Sequence, residues 1–269
     1  MSKLSGLGKL DREQLAAVIR GTKGSISVPE AAEILQVNPS RASMKLSRWA
    51  NMGWLARVQR GIYVSVPLES RTSDIPLEDS WIIAEKLFAP CYVGGWSAIE
   101  YWDLTEQIFR TTFVMTTRKI RKTAPKIMGS QFRIRRIQEN TLFGLKPVWR
   151  GQVKVMVSDP SRTIIDLLID PSLGGGLRPV VDVVQNYLKS DYKNIELLLD
   201  YSQQISKGVV YKRLGFLMEK LAPDEKSLIN ACLNSMSKGN SKLDPKLSAD
   251  NLITKWRLWV PKNWKGGIK

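Results

Sequence analysis

The sequence predicts an α+β fold divided into two domains. Its 269 residues exceed the roughly 100 to 200 that usually surround one core. Residues 67–78, PLESRTSDIPLE, contain two prolines and mainly polar side chains, which is typical of a linker. Beyond this stretch, strand-like segments precede helix-like ones, and such segregation favours α+β. We therefore expect an N-terminal domain over 1–66 and a larger mixed α/β domain over 79–269, whose second half is helical.

The composition indicates a folded protein with an excess of positive charge. Hydrophobic residues make up 43% of the chain, which suffices for a core. Lys and Arg number 41 against 25 Asp and Glu, and the formal charge of +16 attracts polyanions. Nucleic acid is the first candidate partner, followed by an anionic membrane surface or an acidic protein. An apolar stretch of about 18 residues and a signal-peptide core are both absent from the sequence, so we expect a cytoplasmic protein without membrane contact.

The residue types that are missing limit the chemistry. The chain contains no histidine, which excludes Ser-His and Cys-His mechanisms and histidine metal sites. Cys91 and Cys232 stand alone without CxxC spacing, so we expect two buried thiols in a reducing compartment. Accordingly, we expect neither a cofactor nor a bound metal.

Local signals predict consecutive helices in the N-terminal domain. The segment DREQLAAVIR forms the first helix and ends at Gly21. Ser27 followed by Glu30 is a capping-box pattern that begins the second. Asn38 can cap the third, with Pro39 at its first position. The apolar positions expected to be buried are Leu15, Val18, Ile19, Ala31, Ala32, Leu35, Ala42, Leu46, Trp49 and Ala50.

The third helix has a polar face that contains no acidic residue. At about 100° per residue, its outward positions turn away from the apolar stripe, with Lys45 near the boundary. A solvated face usually mixes charges of both signs, so a basic, serine-rich face with an exposed Met suits phosphates and base edges. The alternative is an ordinary solvated helix face. The outward residues are Ser40, Arg41, Met44, Ser47, Arg48 and Asn51.

A basic hairpin follows this helix. Strands are predicted over 54–58 and 62–66, joined by a turn at 59–61. Helices followed by a hairpin are the order of a winged helix-turn-helix, whose recognition helix enters the major groove while the wing contacts backbone or minor groove. The alternative is a winged helix used for protein contacts. The residues expected to contact DNA are Ser40, Arg41, Met44, Lys45, Arg48, Arg57 and Arg60.

Strands and then helices are predicted in the C-terminal domain. SWIIAEKLFAP and GWSAIEYWDL read as helices, and QIFRTTFVMTT, SQFRIRRI and GQVKVMVS read as strands. Asp159 and Pro160 then begin the first of a series of helices. The tail ITKWRLWVPKNW is predicted to be a late strand that returns to the sheet.

A second basic surface is predicted between residues 118 and 136. This stretch holds eight basic residues and no acidic one, which indicates a polyanion or an acidic partner surface. It either extends a DNA footprint or serves a different ligand, and a solvated loop is the plain alternative. Its members are Arg118, Lys119, Arg121, Lys122, Lys126, Arg133, Arg135 and Arg136.

Catalytic motifs are not complete in this sequence. The glycines at 174–176 lack the GK[ST] ending of a P-loop. Asp159, Asp166 and Asp170 lie close together, which keeps a metal-dependent nuclease as an alternative. A helix cap explains Asp159, however, and a polar position on an amphipathic helix explains Asp166.

Two segments of the chain resemble one protein family. YVGGWSAIEYWDLTEQ (92–107), followed by TTFVMTTRKIRK, and VSDPSRTIIDLLIDPSLGGG (157–176) resemble the AbiEi family. These proteins are the antitoxins of AbiE-type abortive-infection systems, which are type IV toxin–antitoxin systems of phage defence. The resemblance covers nearly the whole chain, because family members also carry a winged helix before an antitoxin domain. The matching motif residues are Gly94, Gly95, Trp96, Ser97, Asp159, Arg162 and Asp166.

The resemblance implies a transcriptional repressor that is also an antitoxin, and not an enzyme. It implies autoregulation through inverted-repeat operator DNA, bound by cooperating monomers or by a dimer. It also implies neutralisation of an AbiEii-type, nucleotidyltransferase-like toxin, with or without direct contact. Trp96 is expected to be a core aromatic. A winged-helix regulator without antitoxin activity and a DNA-targeted nuclease remain the alternatives.

Overall fold

The computed structural model describes residues 6–22, 25–66, 79–120, 122–127 and 129–262, and it has the predicted α+β class. The predicted linker 67–78 and Arg121 lie outside the described residues. Among the described residues, no helix is both long and apolar enough to cross a membrane.

The N-terminal region, residues 6–66 as described, has helices and a hairpin in the predicted order. The hairpin strands lie within one residue of their predicted bounds. A short strand that the sequence did not predict, β1, pairs antiparallel with β3, so the sheet order is β1-β3-β2. The elements are α1 (Lys9–Gly21), β1 (Ser25–Ser27), α2 (Val28–Ile34), α3 (Pro39–Asn51), β2 (Leu55–Gln59) and β3 (Ile62–Ser65).

Side-chain caps begin two of these helices as predicted. The Ser27 backbone N–H donates to Glu30 Oε2 over 3.0 Å, and the Ser27 hydroxyl accepts from the Glu30 backbone N–H. The Asn38 side chain accepts from the Arg41 backbone N–H over 2.8 Å. The predicted apolar faces are buried with three exceptions: Ile19 is 38% exposed, and Leu35 and Ala50 are half-buried at the rim of the core.

A mixed sheet lies at the centre of the C-terminal region, residues 79–262 as described. Its strand order is β6-β7-β5-β4-β9-β8, in which β5 runs parallel to β7, and β4 runs parallel to β9. Strands β4, β6 and β8 were not predicted. The strands are β4 (Cys91–Val93), β5 (Thr111–Thr116), β6 (Lys126–Ile127), β7 (Ser130–Arg136), β8 (Leu145–Arg150) and β9 (Val153–Ser158).

The two faces of this sheet contribute to different hydrophobic clusters. Phe113 and Met115 of β5 pack into the large core with the later helices, whereas Val114 lies on the opposite face with α4. The predicted helical second half is present. The helices are α4 (Ser80–Phe88), α5 (Gly95–Tyr101), α6 (Pro160–Ile169), α7 (Leu177–Lys189), α8 (Ile195–Ile205), α9 (Gly208–Leu221) and α10 (Lys226–Ser235).

The tail does not return to the main sheet, so that prediction was wrong. Strands β10 (Ser241–Lys242), β11 (Asn251–Ile253) and β12 (Leu258–Val260) form a separate small sheet in the order β10-β12-β11. Buried Trp256 and Leu258 join this sheet to the helical core, and the Trp256 indole N–H donates to Glu219 of α9 over 2.6 Å. The tail is therefore held by packing against the helical core, and not by pairing with a strand of the main sheet.

The N-terminal hairpin shares a hydrophobic cluster with the C-terminal region. Successive residues of β3 face opposite ways: Tyr63 packs with the N-terminal helices, and Val64 packs with α4 and β5. Ala56 of β2 joins Val64 in that second cluster, together with Ile83 and Leu87. The two regions therefore bury apolar surface against each other.

Candidate nucleic-acid interface

Helix α3 presents the basic face that the sequence predicted. Its stripe of Ala42, Leu46 and Trp49 is completely buried, which fixes the rotation of the helix on the core. Arg41 and Met44 are exposed on the outer side, Met44 to 64%. A large, solvent-exposed methionine flanked by arginines is a surface suited to contact with apolar and phosphate groups together. Ser40 and Arg48 are exposed on the same side.

The face is not free of acidic groups, which corrects the sequence analysis. Asp11 of α1 lies beside α3, with Oδ2 at 3.3 Å from Arg48 Nη2 and Oδ1 at 3.7 Å from Lys45 Nζ. Lys45 also donates to Gln14 Oε1 over 2.8 Å and is half-buried. The structure thus directs Lys45 towards α1, whereas Arg48, with 65% of its side chain exposed, still reaches solvent.

The hairpin and α3 together form a cleft that includes a residue of the C-terminal region. The cleft has a volume of about 390 Å³, and Ser47, Arg57 and Lys126 are among its lining residues. The hydroxyls of Ser47 and Tyr63 lie 3.0 Å apart, which ties α3 to β3. Lys126 therefore lies next to the recognition-helix candidate although it is 75 or more positions away in sequence.

Both predicted hairpin arginines are on the surface. Arg57 lies on β2 and Arg60 in the turn, and both side chains are exposed. Neither makes an ion pair with a carboxylate of the described residues. Gly61 in the same turn has φ +80°, a conformation that glycine adopts readily and that lets the tight hairpin close.

The predicted second basic surface is divided by the sheet. Strand alternation places Arg133 and Arg135 on the face opposite Phe132 and Ile134. Arg135 forms an ion pair with Asp170 on that face, and the Arg133 guanidinium lies 6.0 Å from the centre of the Phe113 ring. These arginines are separated from the hairpin by the sheet.

The other part of the second basic surface lies near the hairpin. Arg118, Lys119 and Lys122 are exposed around a groove of about 600 Å³ that Val58 of β2 also lines. The Arg118 guanidinium donates to the Leu87 carbonyl over 3.1 Å, which holds it near the end of α4. Arg136 is exposed at the end of β7. Within the described residues, Arg118, Lys119 and Lys122 therefore adjoin the hairpin, and Lys126 adjoins both the hairpin and α3.

Asp166 is not at a polar surface position, so that interpretation was wrong. It is 4% exposed on α6, where it accepts from Arg162 Nε over 3.1 Å and from the Tyr92 hydroxyl over 2.8 Å. Burial alone would lower the pKa of Arg162, but the interactions with Asp166 and Tyr92 together outweigh it and raise that pKa, which keeps the guanidinium charged. The periodicity of α6 could not show that this ion pair is buried, because its burial depends on residues that are distant in sequence, such as Tyr92 of β4.

The other motif residues also make contacts inside the fold. Asp159 caps α6 as predicted, accepting from the Arg162 backbone N–H over 2.7 Å, and it accepts from the Tyr201 hydroxyl over 2.7 Å. Trp96 is 5% exposed and stacks on Phe109 at 3.8 Å between ring centres, as expected for a core aromatic. The Ser97 hydroxyl accepts from the Phe113 backbone N–H over 3.0 Å.

The glycines of the first motif allow close packing at the start of α5. Gly95 has φ +53°, and a Cβ there would approach the Leu173 carbonyl and the Phe113 ring closely. Gly94 is the residue before α5, and its N–H donates to the Phe113 carbonyl over 3.1 Å. The motif thus has a clear packing role.

Neither a cluster of metal-binding side chains nor an exposed cysteine occurs among the described residues. No group of three or more Asp, Glu or Cys side chains there is arranged to hold a metal ion. Cys91 and Cys232 are buried free thiols, as predicted, and burial raises the pKa of Cys232 to about 12. Such a thiol is a poor nucleophile near neutral pH.

These features define a strongly basic α+β protein whose N-terminal helices and hairpin form an exposed cationic surface. Comparison of the sequence with protein-family models and with curated proteins gives no match.

Proposed function

We propose that this chain is a cytoplasmic, DNA-binding antitoxin that represses its own operon. The exposed face of α3 supports the DNA-binding half most directly, because Arg41, Met44 and Arg48 project from a helix whose opposite side is buried. In this proposal α3 is the recognition helix of a winged helix-turn-helix, and Arg57 and Arg60 of the wing hold the phosphate backbone.

Lys126, Lys119 and Lys122 extend the proposed DNA surface into the C-terminal region. They border the two clefts next to the hairpin, and phosphates that flank the recognised bases would pass near them. The target is double-stranded operator DNA with inverted repeats, bound by cooperating monomers or by a dimer. The charge of +16 accelerates the encounter with such a polyanion.

The antitoxin half of the proposal rests on the resemblance of residues 92–107 and 157–176 to the AbiEi family. The proposed partner is an AbiEii-type, nucleotidyltransferase-like toxin encoded beside this chain, with or without direct contact. A regulator without antitoxin activity would use the same DNA surface and lack only the effect on the toxin.

DNA binding is tested by fluorescence anisotropy with the duplex that precedes the chain's own reading frame. Arg41→Ala with Arg48→Ala should weaken binding and reduce the slope of log affinity against log salt by roughly 0.9 for each phosphate contact that the two substitutions remove. Lys146→Ala with Lys154→Ala removes the same charge at the opposite edge of the main sheet and is the matched control. Equal losses in the two double variants would remove α3 from the interface.

Antitoxicity is tested by co-expressing the full chain with the product of the adjacent reading frame and measuring growth. Rescue by both the wild type and Arg41→Ala/Arg48→Ala would assign neutralisation to a surface other than α3. Full-length variants are preferable to fragments because the hairpin and the C-terminal region share a hydrophobic cluster. Operator binding without rescue would leave a regulator and refute the antitoxin assignment.

A further inference from the structure

Among the residues that the structure describes, one carboxylate forms ion pairs on the cationic face of α3, and it comes from another helix. The Asp11 side chain is 16% exposed and lies between two basic side chains of α3. Its two oxygens are divided between them, with Oδ1 nearer Lys45 and Oδ2 nearer Arg48. A carboxylate in this position places negative charge next to any phosphate that approaches α3.

Asp11 affects its two neighbours differently. Lys45 has a second acceptor in Gln14 and is held on the α1 side, with 30% of its side chain exposed. Arg48 Nη2 lies 3.3 Å from Asp11 Oδ2, and 65% of the Arg48 side chain stays exposed. A guanidinium anchored at one corner can still present its remaining donors in a fixed plane, which is the geometry that bidentate recognition of guanine requires.

We propose that Asp11 is a positioning residue that raises the sequence specificity of α3. This inference rests on the proposed DNA-binding function. Unpaired, Lys45 and Arg48 would both attract phosphates of any sequence. In this proposal Asp11 neutralises the charge of Lys45 and repels the phosphate backbone of DNA. It also orients the Arg48 guanidinium towards base edges. Specificity increases when a repulsive element weakens the wrong complexes more than the right one.

The test compares arbitrary and selected DNA. Wild-type protein first selects duplexes from a random-sequence pool, and affinities are then measured for the unselected pool and for the enriched duplex. Asp11→Asn should bind the unselected pool about three- to tenfold more tightly at low salt, with a salt slope steeper by about 0.9. Its ratio of specific to non-specific affinity should fall by about fivefold or more.

The control variant has the same charge change on the same helix. Glu13→Gln lies two positions away and is exposed on α1. Glu13→Gln should leave the ratio of specific to non-specific affinity unchanged. Asp11→Glu keeps the carboxylate and should retain most of the wild-type ratio. In an Arg48→Ala background, Asp11→Asn should reduce the ratio much less, because the side chain being oriented is gone.

The positioning role of Asp11 and the DNA-binding function can fail independently in this experiment. Equal effects of Asp11→Asn and Glu13→Gln, or an unchanged ratio in Asp11→Asn, would overturn the positioning role while leaving DNA binding intact. If the wild type selects no duplex and binds the unselected pool no better than Arg41→Ala/Arg48→Ala does, the proposed DNA-binding function itself fails. Thermal unfolding of each variant verifies that the chain remains folded.

Discussion

Glu30 of α2 accepts a hydrogen bond from Lys86 of α4 with one carboxylate oxygen, and with the other it accepts from Ser27 at the start of its own helix. One side chain thereby caps a helix of the N-terminal region and joins it to the C-terminal region. Helix α2 packs on α3. The ion pair therefore contributes to the position of the proposed recognition helix relative to the main sheet.

The Glu30–Lys86 pair should show a small but measurable coupling energy. Both side chains are partly exposed, so the interaction is expected to contribute about 0.2 to 1 kcal/mol to the free energy of unfolding. Urea denaturation of Glu30→Gln, Lys86→Met and the double variant gives this value as a double-mutant cycle. Glu33→Gln, an exposed neighbour on α2, should show no coupling to Lys86→Met. A coupling equal in both cycles would argue against the contact.

The same carboxylate should make stability depend on pH. Burial tends to raise the pKa of Glu30, but hydrogen bonds from Lys86 and Ser27 outweigh it and hold the pKa below its ordinary value of 4.5. Because the folded state favours the ionised form, this stabilisation is complete above that value and is lost as pH falls through the folded pKa. The difference in unfolding free energy between wild type and Glu30→Gln should therefore shrink from about pH 6 to about pH 3. In the Lys86→Met background the pH dependence of that difference should be smaller, and an equal dependence in both backgrounds would contradict this origin.

Local signals in the sequence predicted much of the N-terminal region. The caps at Ser27 and Asn38 and the turn at Gly61 depend on neighbouring residues, and the structure contains all three. Long-range arrangements were not predictable in this way. The Asp11 contact joins separate helices, and strand alternation cannot say what covers the outer face of a hairpin. Strand β8 was not predicted because it contains Pro147, and a proline usually argues against a strand. Proline is tolerated on an edge strand, and β8 lies at the edge of the sheet.

The shared cluster predicts different effects of two adjacent substitutions in β3. Val64 is buried against α4 and β5, whereas Ser65 is exposed. Val64→Lys should lower the free energy of unfolding by about 2 kcal/mol or more, because it loses apolar burial and forces a charge into the contact. Ser65→Lys should change it by about 0.5 kcal/mol or less. Similar urea midpoints for the two variants would show that the hairpin does not pack on the C-terminal region.

The buried Arg162–Asp166 pair predicts strongly non-additive substitutions. Asp166→Leu leaves a guanidinium buried without its carboxylate and should destabilise the protein by about 3 to 5 kcal/mol. Arg162→Met with Asp166→Leu removes both charges and should cost clearly less than the sum of the single variants. Urea denaturation of the three variants measures this. Additive losses would mean that the two side chains do not act as a unit, and would favour a separate role for Asp166.

The division of the second basic surface predicts which of its residues matter for DNA. Lys126 borders the cleft with Ser47 and Arg57, whereas Arg133 lines a different pocket with Phe113 and Asp170. Lys126→Ala should therefore weaken binding to the upstream duplex and reduce the salt slope by about 0.9, the contribution of one phosphate contact. Arg133→Ala removes the same charge from the neighbouring strand and should leave both quantities nearly unchanged. Anisotropy titrations over a range of salt concentrations compare the two variants. Equal effects would mean that net charge alone governs binding, and a loss only in Arg133→Ala would place the DNA at the pocket that Arg133 lines.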